Sequence, residues 1–125
     1  MLDHITLHVS DWQKSKDFYV KILQPLGYQV VMEFPEMSVV GLGAEGKADF
    51  WLSGDGAGKP THIAFVAQDE TVIQNFYALA LENGAKDNGA PGPRKQYHPG
   101  YYGAFIIDID GNNIEVVMHN HSEEE

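Results

Sequence analysis

The chain has 125 residues, of which 43% are apolar and 21% charged, values that fit one folded domain and exclude a disordered chain. Eight Lys and Arg stand against eighteen Asp and Glu, and the net charge of −10 repels phosphate backbones and anionic lipid, so no nucleic acid and no membrane is expected as a partner. There is no cysteine, which excludes disulfides, thiolate metal sites and cysteine nucleophiles, and no apolar run approaches the ~20 residues of a membrane span. Met1-Leu2-Asp3-His4 does not read as a signal peptide, so a cytoplasmic protein is expected.

Residues 2–9 alternate, with Ile5, Leu7 and Val9 on one face and His4, Thr6 and His8 on the other, which predicts a strand buried on one side. Ser10 to Gln13 fits a capping box, after which Trp12, Ser15, Tyr19, Ile22 and Leu26 follow helical spacing. Period-two patterning returns over 28–34, 37–43 and 47–53, and residues 54–60 have the composition of a flexible linker. A second strand presents Ile63, Phe65 and Ala67 on one face and His62, Ala64 and Val66 on the other. Asp69 caps a helix that carries Val72, Ile73, Phe76 and Leu79 and ends at Gly84. Strands are predicted again at 85–88, 101–108 and 112–119, with Asp110-Gly111 as the hairpin signal between the last two, and an acidic tail over 120–125.

The chain repeats itself. His4, Ile5, Asp11, Phe18, Tyr19 and Leu23 each recur 58 residues later as His62, Ile63, Asp69, Phe76, Tyr77 and Leu81. Six identities in one ungapped register exceed what amphipathic periodicity alone supplies. The expected fold is therefore α+β: two βαβββ modules, residues 1–53 and 61–119, forming an eight-stranded curved sheet, a cup, with two long outer helices.

Three residues stand out as metal ligands. His4 and His62 hold the same place in the two repeats, and Glu115 has the opposite parity from Ile114, Val116 and Met118. All three are expected on the face away from the helices, where a curled sheet brings them together. Two imidazoles and a carboxylate make a facial site for one divalent metal ion, Zn, Mn, Fe or Ni, with positions left open for substrate. The plain alternative is that each is an ordinary strand residue. His8, two residues after His4, is a spare ligand.

Arg94 is the only arginine and fits a substrate carboxylate or phosphonate from the loop Pro91-Gly92-Pro93-Arg94-Lys95. His98 and Tyr102 are candidate acid/base groups at the mouth of the cup, Tyr101 a hydrogen-bonding substrate contact, and Trp51 a surface for stacking a flat substrate. Gly41-Leu42-Gly43-Ala44-Glu45-Gly46 matches a dinucleotide fingerprint in spacing, but a strand and not a helix follows it, so it reads as a hairpin turn. Asp108-Ile109-Asp110-Gly111 puts glycine too early for an EF-hand, and His119 and His121 read as a frayed tail.

His4-Ile5-Thr6-Leu7-His8-Val9, Asp11 with Phe18-Tyr19, His62-Ile63-Ala64-Phe65 and Asp108-Ile109-Asp110-Gly111-Asn112-Asn113-Ile114-Glu115, together with Tyr97-His98-Pro99-Gly100-Tyr101-Tyr102, resemble the vicinal oxygen chelate superfamily of glyoxalases, fosfomycin-resistance enzymes, extradiol dioxygenases and bleomycin-resistance proteins. The resemblance runs from Leu2 to His119 and implies metal ligation by His4, His62 and Glu115. Glyoxalase I carries a further glutamate ligand in the strand before the linker. That position falls here on Trp51, or on Phe50 one register away, and neither binds metal. The resemblance thus implies a three-ligand enzyme of lyase, isomerase, thiol transferase or dioxygenase type more than a lactoylglutathione lyase. Its alternative is a non-catalytic module of the bleomycin-resistance kind that sequesters a small molecule. A small-molecule substrate and a homodimer are the expected partners, the latter because paired modules leave sheet edges to cover.

Overall fold

The computed structural model describes residues 1–122, and the chain divides into two compact units, Met1–Pro60 and a second that starts at Thr61. The first holds β1 (Ile5–His8), α1 (Trp12–Ile22), β2 (Gln29–Phe34), β3 (Val39–Gly43) and β4 (Phe50–Ser53). The second holds β5 (His62–Val66), α2 (Glu70–Glu82), β6 (Lys86–Pro93), β7 (Tyr102–Ile107) and β8 (Asn113–Met118). Each unit builds its own four-stranded sheet, in the orders β1-β4-β3-β2 and β5-β8-β7-β6. β1 runs parallel to β4 and β5 parallel to β8, while the other pairs are antiparallel. The two βαβββ patterns are thus one topology used twice.

The repeat reaches the helix caps. Asp11 accepts a hydrogen bond from the Lys14 amide at 3.1 Å and Asp69 one from the Val72 amide at 3.0 Å, so Asp11, not Ser10, is the first cap. Each cap satisfies an amide that the first helical turn leaves without a partner. α1 buries Ser15, Phe18, Tyr19 and Ile22, and α2 buries Ile73, Phe76 and Ala80. α1 stops at Ile22 instead of reaching Leu26, because Pro25 supplies no amide and its ring disfavours helix at the residue before it. A 3₁₀ turn, Gln24–Leu26, takes over and closes at Gly27, whose φ of 85° is open to glycine.

In the first unit Leu7 and Val9 are buried while Thr6 and His8 are exposed, the alternation expected of a sheet covered on one side. The Tyr19 ring meets Phe50 edge-on at 5.1 Å, which fixes Phe50 on the α1 side and turns its neighbour Trp51 to the other face. β3 and β4 start later than the patterning suggests. Pro35–Met37 is a 3₁₀ turn with Ser38 at φ 55°, and a turn at Ala44-Glu45-Gly46, with Glu45 and Gly46 at positive φ, opens the six-residue β3–β4 connection.

In the second unit β6 is twice the predicted length and runs through Pro91 and Pro93, where the sequence reads as a loop. Proline has no ladder amide to donate, so it is tolerated on an edge strand, and β6 is the edge of its sheet. The β7–β8 connection is a five-residue loop, not a two-residue turn. Buried Asp108 organises it by accepting from the amides of Asp110 at 3.0 Å and Asn112 at 2.8 Å and from the Asn112 side chain. Asn112 in turn accepts from the Thr61 amide at 2.9 Å, which fastens the start of β5 beside β8. No helix among the described residues is long and apolar enough to cross a membrane. Of the acidic tail, Glu123, Glu124 and Glu125 lie outside the described residues.

Candidate functional site

β7 and β8 show which side of the second sheet each candidate residue takes. Tyr102 lies on the α2 side, with its hydroxyl accepting from Gln74 of α2 at 3.1 Å, and the pairs Tyr102–Met118, Ala104–Val116 and Ile106–Ile114 share that side. The Phe105–Glu115 pair therefore faces away from α2, flanked in the ladder by Ala64 of β5. Tyr102 is thus separated by the sheet from Glu115, contrary to its assignment as an acid/base group at the mouth of the cup.

Glu115 is 2% exposed, a carboxylate buried on a sheet face. Burial of a charge is costly unless its oxygens are bonded, and both are. Oε1 lies 2.9 Å from Nε2 of His62, and Oε2 accepts a hydrogen bond from the Tyr101 hydroxyl. Burial and the bond to Glu115 push the Tyr101 phenol above its usual range. His62 itself is half exposed, so one edge of the pair is open.

A ring cluster surrounds Tyr101. Tyr97, His98 and His119 meet it edge-on at 4.9, 5.3 and 5.3 Å. His98 and His119 stack on each other, Nε2 of the first 2.9 Å from Nδ1 of the second. Nδ1 of His98 donates to the Pro99 carbonyl at 2.6 Å, which assigns its proton to Nδ1 and, in the neutral pair, the other proton to Nδ1 of His119. Arg94 folds over Phe105, with its guanidinium 5.4 Å from the ring and donating to the carbonyls of Gly92 at 2.8 Å and Ala90 at 2.9 Å. His62, Glu115, Tyr101, Arg94 and His98 are therefore brought together on one face.

His119 and His121 are not a frayed tail. The His121 amide donates to the Gly100 carbonyl at 3.0 Å, its ring stacks on Tyr102 at 4.4 Å, and its Nε2 lies 3.3 Å from Glu70. His119, read from the sequence as part of the tail, lies just past β8, and its spacing of four residues from Glu115 keeps the parity of that face.

The candidates of the first unit have their own surroundings within that unit. His4 lies one residue before β1, exposed, with Nδ1 2.8 Å from Asp3, and His8 pairs through Nδ1 with Asp55 at 2.7 Å. Each histidine holds its partner carboxylate below the usual range through that hydrogen bond. Trp51 pairs in the ladder with Thr6 and Gly41, and its indole occupies the space a side chain at Gly41 would need. By register, Thr6–Trp51–Gly41 in the first sheet corresponds to Ala64–Glu115–Phe105 in the second, so Trp51, not Phe50, stands where the second unit has its carboxylate. Among the described residues no group of three or more His, Cys, Asp or Glu side chains is gathered as a metal cage.

Residues 1–116 match the family model described as Glyoxalase/Bleomycin resistance protein/Dioxygenase superfamily. Among solved structures, the chain is 27% identical to a glyoxalase/bleomycin resistance protein from Albidiferax ferrireducens T118, covering 94% of this chain and 98% of that one with a TM-score of 0.78. A glyoxalase/bleomycin resistance protein/dioxygenase family enzyme from Burkholderia phytofirmans PsJN shares the fold at 16% identity, with coverage of 94% and 97% and a TM-score of 0.70. So does a lactoylglutathione lyase from Agrobacterium tumefaciens at 17% identity, with coverage of 94% and 92% and a TM-score of 0.69. A search of curated proteins finds no match. With nearly its whole length matched and the βαβββ unit present twice, the chain belongs to the Glyoxalase/Bleomycin resistance protein/Dioxygenase superfamily.

Proposed function

We propose that the chain is a metal-dependent enzyme that chelates two neighbouring oxygens of a small substrate, in a reaction of lyase, isomerase, thiol transferase or ring-cleaving dioxygenase type. The observation that carries this reading is the pairing of buried Glu115 with half-exposed His62. An imidazole nitrogen and a carboxylate oxygen, 2.9 Å apart with one edge exposed, are donors of the kind a divalent metal takes, so the pair would fit one. By its place in the repeat, where it is the counterpart of His62, His4 is the third candidate ligand. A metal held there supplies Lewis-acid stabilisation of a developing oxyanion.

The chain's own residues do the rest. Arg94 sets a positive charge on the same face as Glu115, suited to an anionic substrate group. His98, its Nδ1 proton fixed on Pro99 and its Nε2 accepting from His119, makes with His119 a hydrogen-bonded imidazole pair suited to relaying a proton. Trp51 offers an aromatic face for a planar substrate. With Trp51 in place of a fourth carboxylate, the proton shuttle of a four-ligand glyoxalase has no donor at that position.

Elemental analysis of tag-free protein incubated with Zn, Mn, Fe or Ni salts tests the reading. About one equivalent per chain is expected, lost in Glu115→Ala and in His62→Ala while the far-ultraviolet circular dichroism is kept. A wild-type chain that takes up no metal overturns it and favours the sequestering module, for which ligand-induced melting shifts are the next measurement.

A further inference from the structure

We propose that Tyr101 is a positioning residue for Glu115: by occupying Oε2 it leaves Oε1 alone to face His62 and the metal, so that Glu115 is a one-oxygen ligand. This rests on the metal reading above. The two carboxylate oxygens have separate partners, the Tyr101 hydroxyl on Oε2 and His62 Nε2 at 2.9 Å from Oε1. A carboxylate only 2% exposed has no ready water to replace the tyrosine, so loss of the hydroxyl leaves Oε2 buried and without a donor.

Tyr101 is itself held from several sides. Its amide donates to the His98 carbonyl at 3.2 Å and its carbonyl accepts from the Arg94 amide at 2.8 Å. Its ring is fixed by Tyr97 and by the His98–His119 stack. The approach of this segment to the end of β8 depends on Gly100. At φ 87° it sits where a Cβ would come within 2.5 Å of the His119 carbonyl oxygen. The histidine stack thus has a purpose apart from proton transfer, since it holds the ring whose hydroxyl aims the carboxylate. Hydrogen bonds to a ligating carboxylate commonly set metal affinity in this way.

The test is Zn(II) affinity, measured by competition with a chelating dye on the full chain, for wild type, Tyr101→Phe and Tyr97→Phe. Tyr101→Phe keeps the ring contacts and removes only the hydroxyl. Its affinity is expected to fall about 10–100-fold, while Tyr97→Phe, which has no contact with Glu115, stays at the wild-type value. An unchanged or tighter Tyr101→Phe overturns the proposal and leaves the metal reading standing, whereas a wild type that binds no Zn(II) overturns both. A second measurement needs no substitution at Tyr101. In the infrared difference spectrum of wild type on Zn(II) addition, bands lost in Glu115→Gln belong to this carboxylate. A widened splitting of its two stretches marks one-oxygen ligation and supports the proposal; a narrowed splitting marks two-oxygen ligation and overturns it.

Discussion

At Gly41 a side chain is missing for a reason that can be measured. A Cβ built there would lie 2.9 Å from three atoms of the Trp51 indole, closer than packed atoms tolerate. Gly41→Ala should therefore tilt the indole and destabilise the fold by about 1–3 kcal/mol. The readout is a lower melting temperature together with a shift in tryptophan emission; if both stay at wild-type values, the indole does not rest on Gly41. The same residue scale separates what the sequence reveals from what it conceals. Glu115 was legible because a carboxylate alternating with Ile114, Val116 and Met118 has to face away from the helix. Tyr101 and Tyr102 were not, since adjacent residues of a strand face opposite ways and nothing in two neighbouring tyrosines says which is which. Their contacts decide it: Tyr102 bonds to α2 and Tyr101 to Glu115.

Between elements, Tyr28 ties the segment before β2 to the segment before β4, its hydroxyl donating to Asp49 at 3.1 Å. Burial first, and then the hydrogen bond to Asp49, raise its pKa above the ordinary value near 10. With the folded value raised, the unfolded chain gives up this proton first as pH rises. The stabilisation is thus complete below about pH 10 and is lost progressively above it. Urea unfolding from pH 8 to 11.5 should show stability falling through the alkaline limb, more shallowly in Tyr28→Phe. Tyr77 and Tyr101 are shifted in the same direction, so the variant reduces the slope without abolishing it. An identical slope in the variant would remove Tyr28 from the account. Strands covered on one side were readable from alternation, as β1 and β5 are. β6 was not, because its Pro91-Gly92-Pro93 reads as a loop until its edge position is known. The end of α1 was missed for a related reason: Leu26 keeps the helical period, but Pro25 has already broken the backbone that would carry it.

At the scale of the whole molecule, the 58-residue repeat carries the duplicated topology in the sequence itself, because the cap, the buried phenylalanine and the first strand all recur together. Where each sheet ends is a separate question. β1 and β2 are the edges of one sheet and β5 and β6 of the other, and edge strands present unpaired backbone that proteins tend to cover. β2 also exposes Val30, Met32 and Phe34. We expect a homodimer, seen in sedimentation velocity at micromolar concentration as a species of twice the chain mass; monomer alone would refute it. The matched registers have one more consequence. Asp11 has a twin in Asp69, Phe18 in Phe76, and Trp51 in Glu115, each pair on the same backbone framework amid different neighbours. Where the twins are identical, as Asp11 and Asp69 or Phe18 and Phe76 are, one substitution can therefore be made twice in one molecule under identical solvent, temperature and chain length. The difference between twins then measures surroundings alone, a calibration that chains without such an echo obtain only by comparing separate proteins.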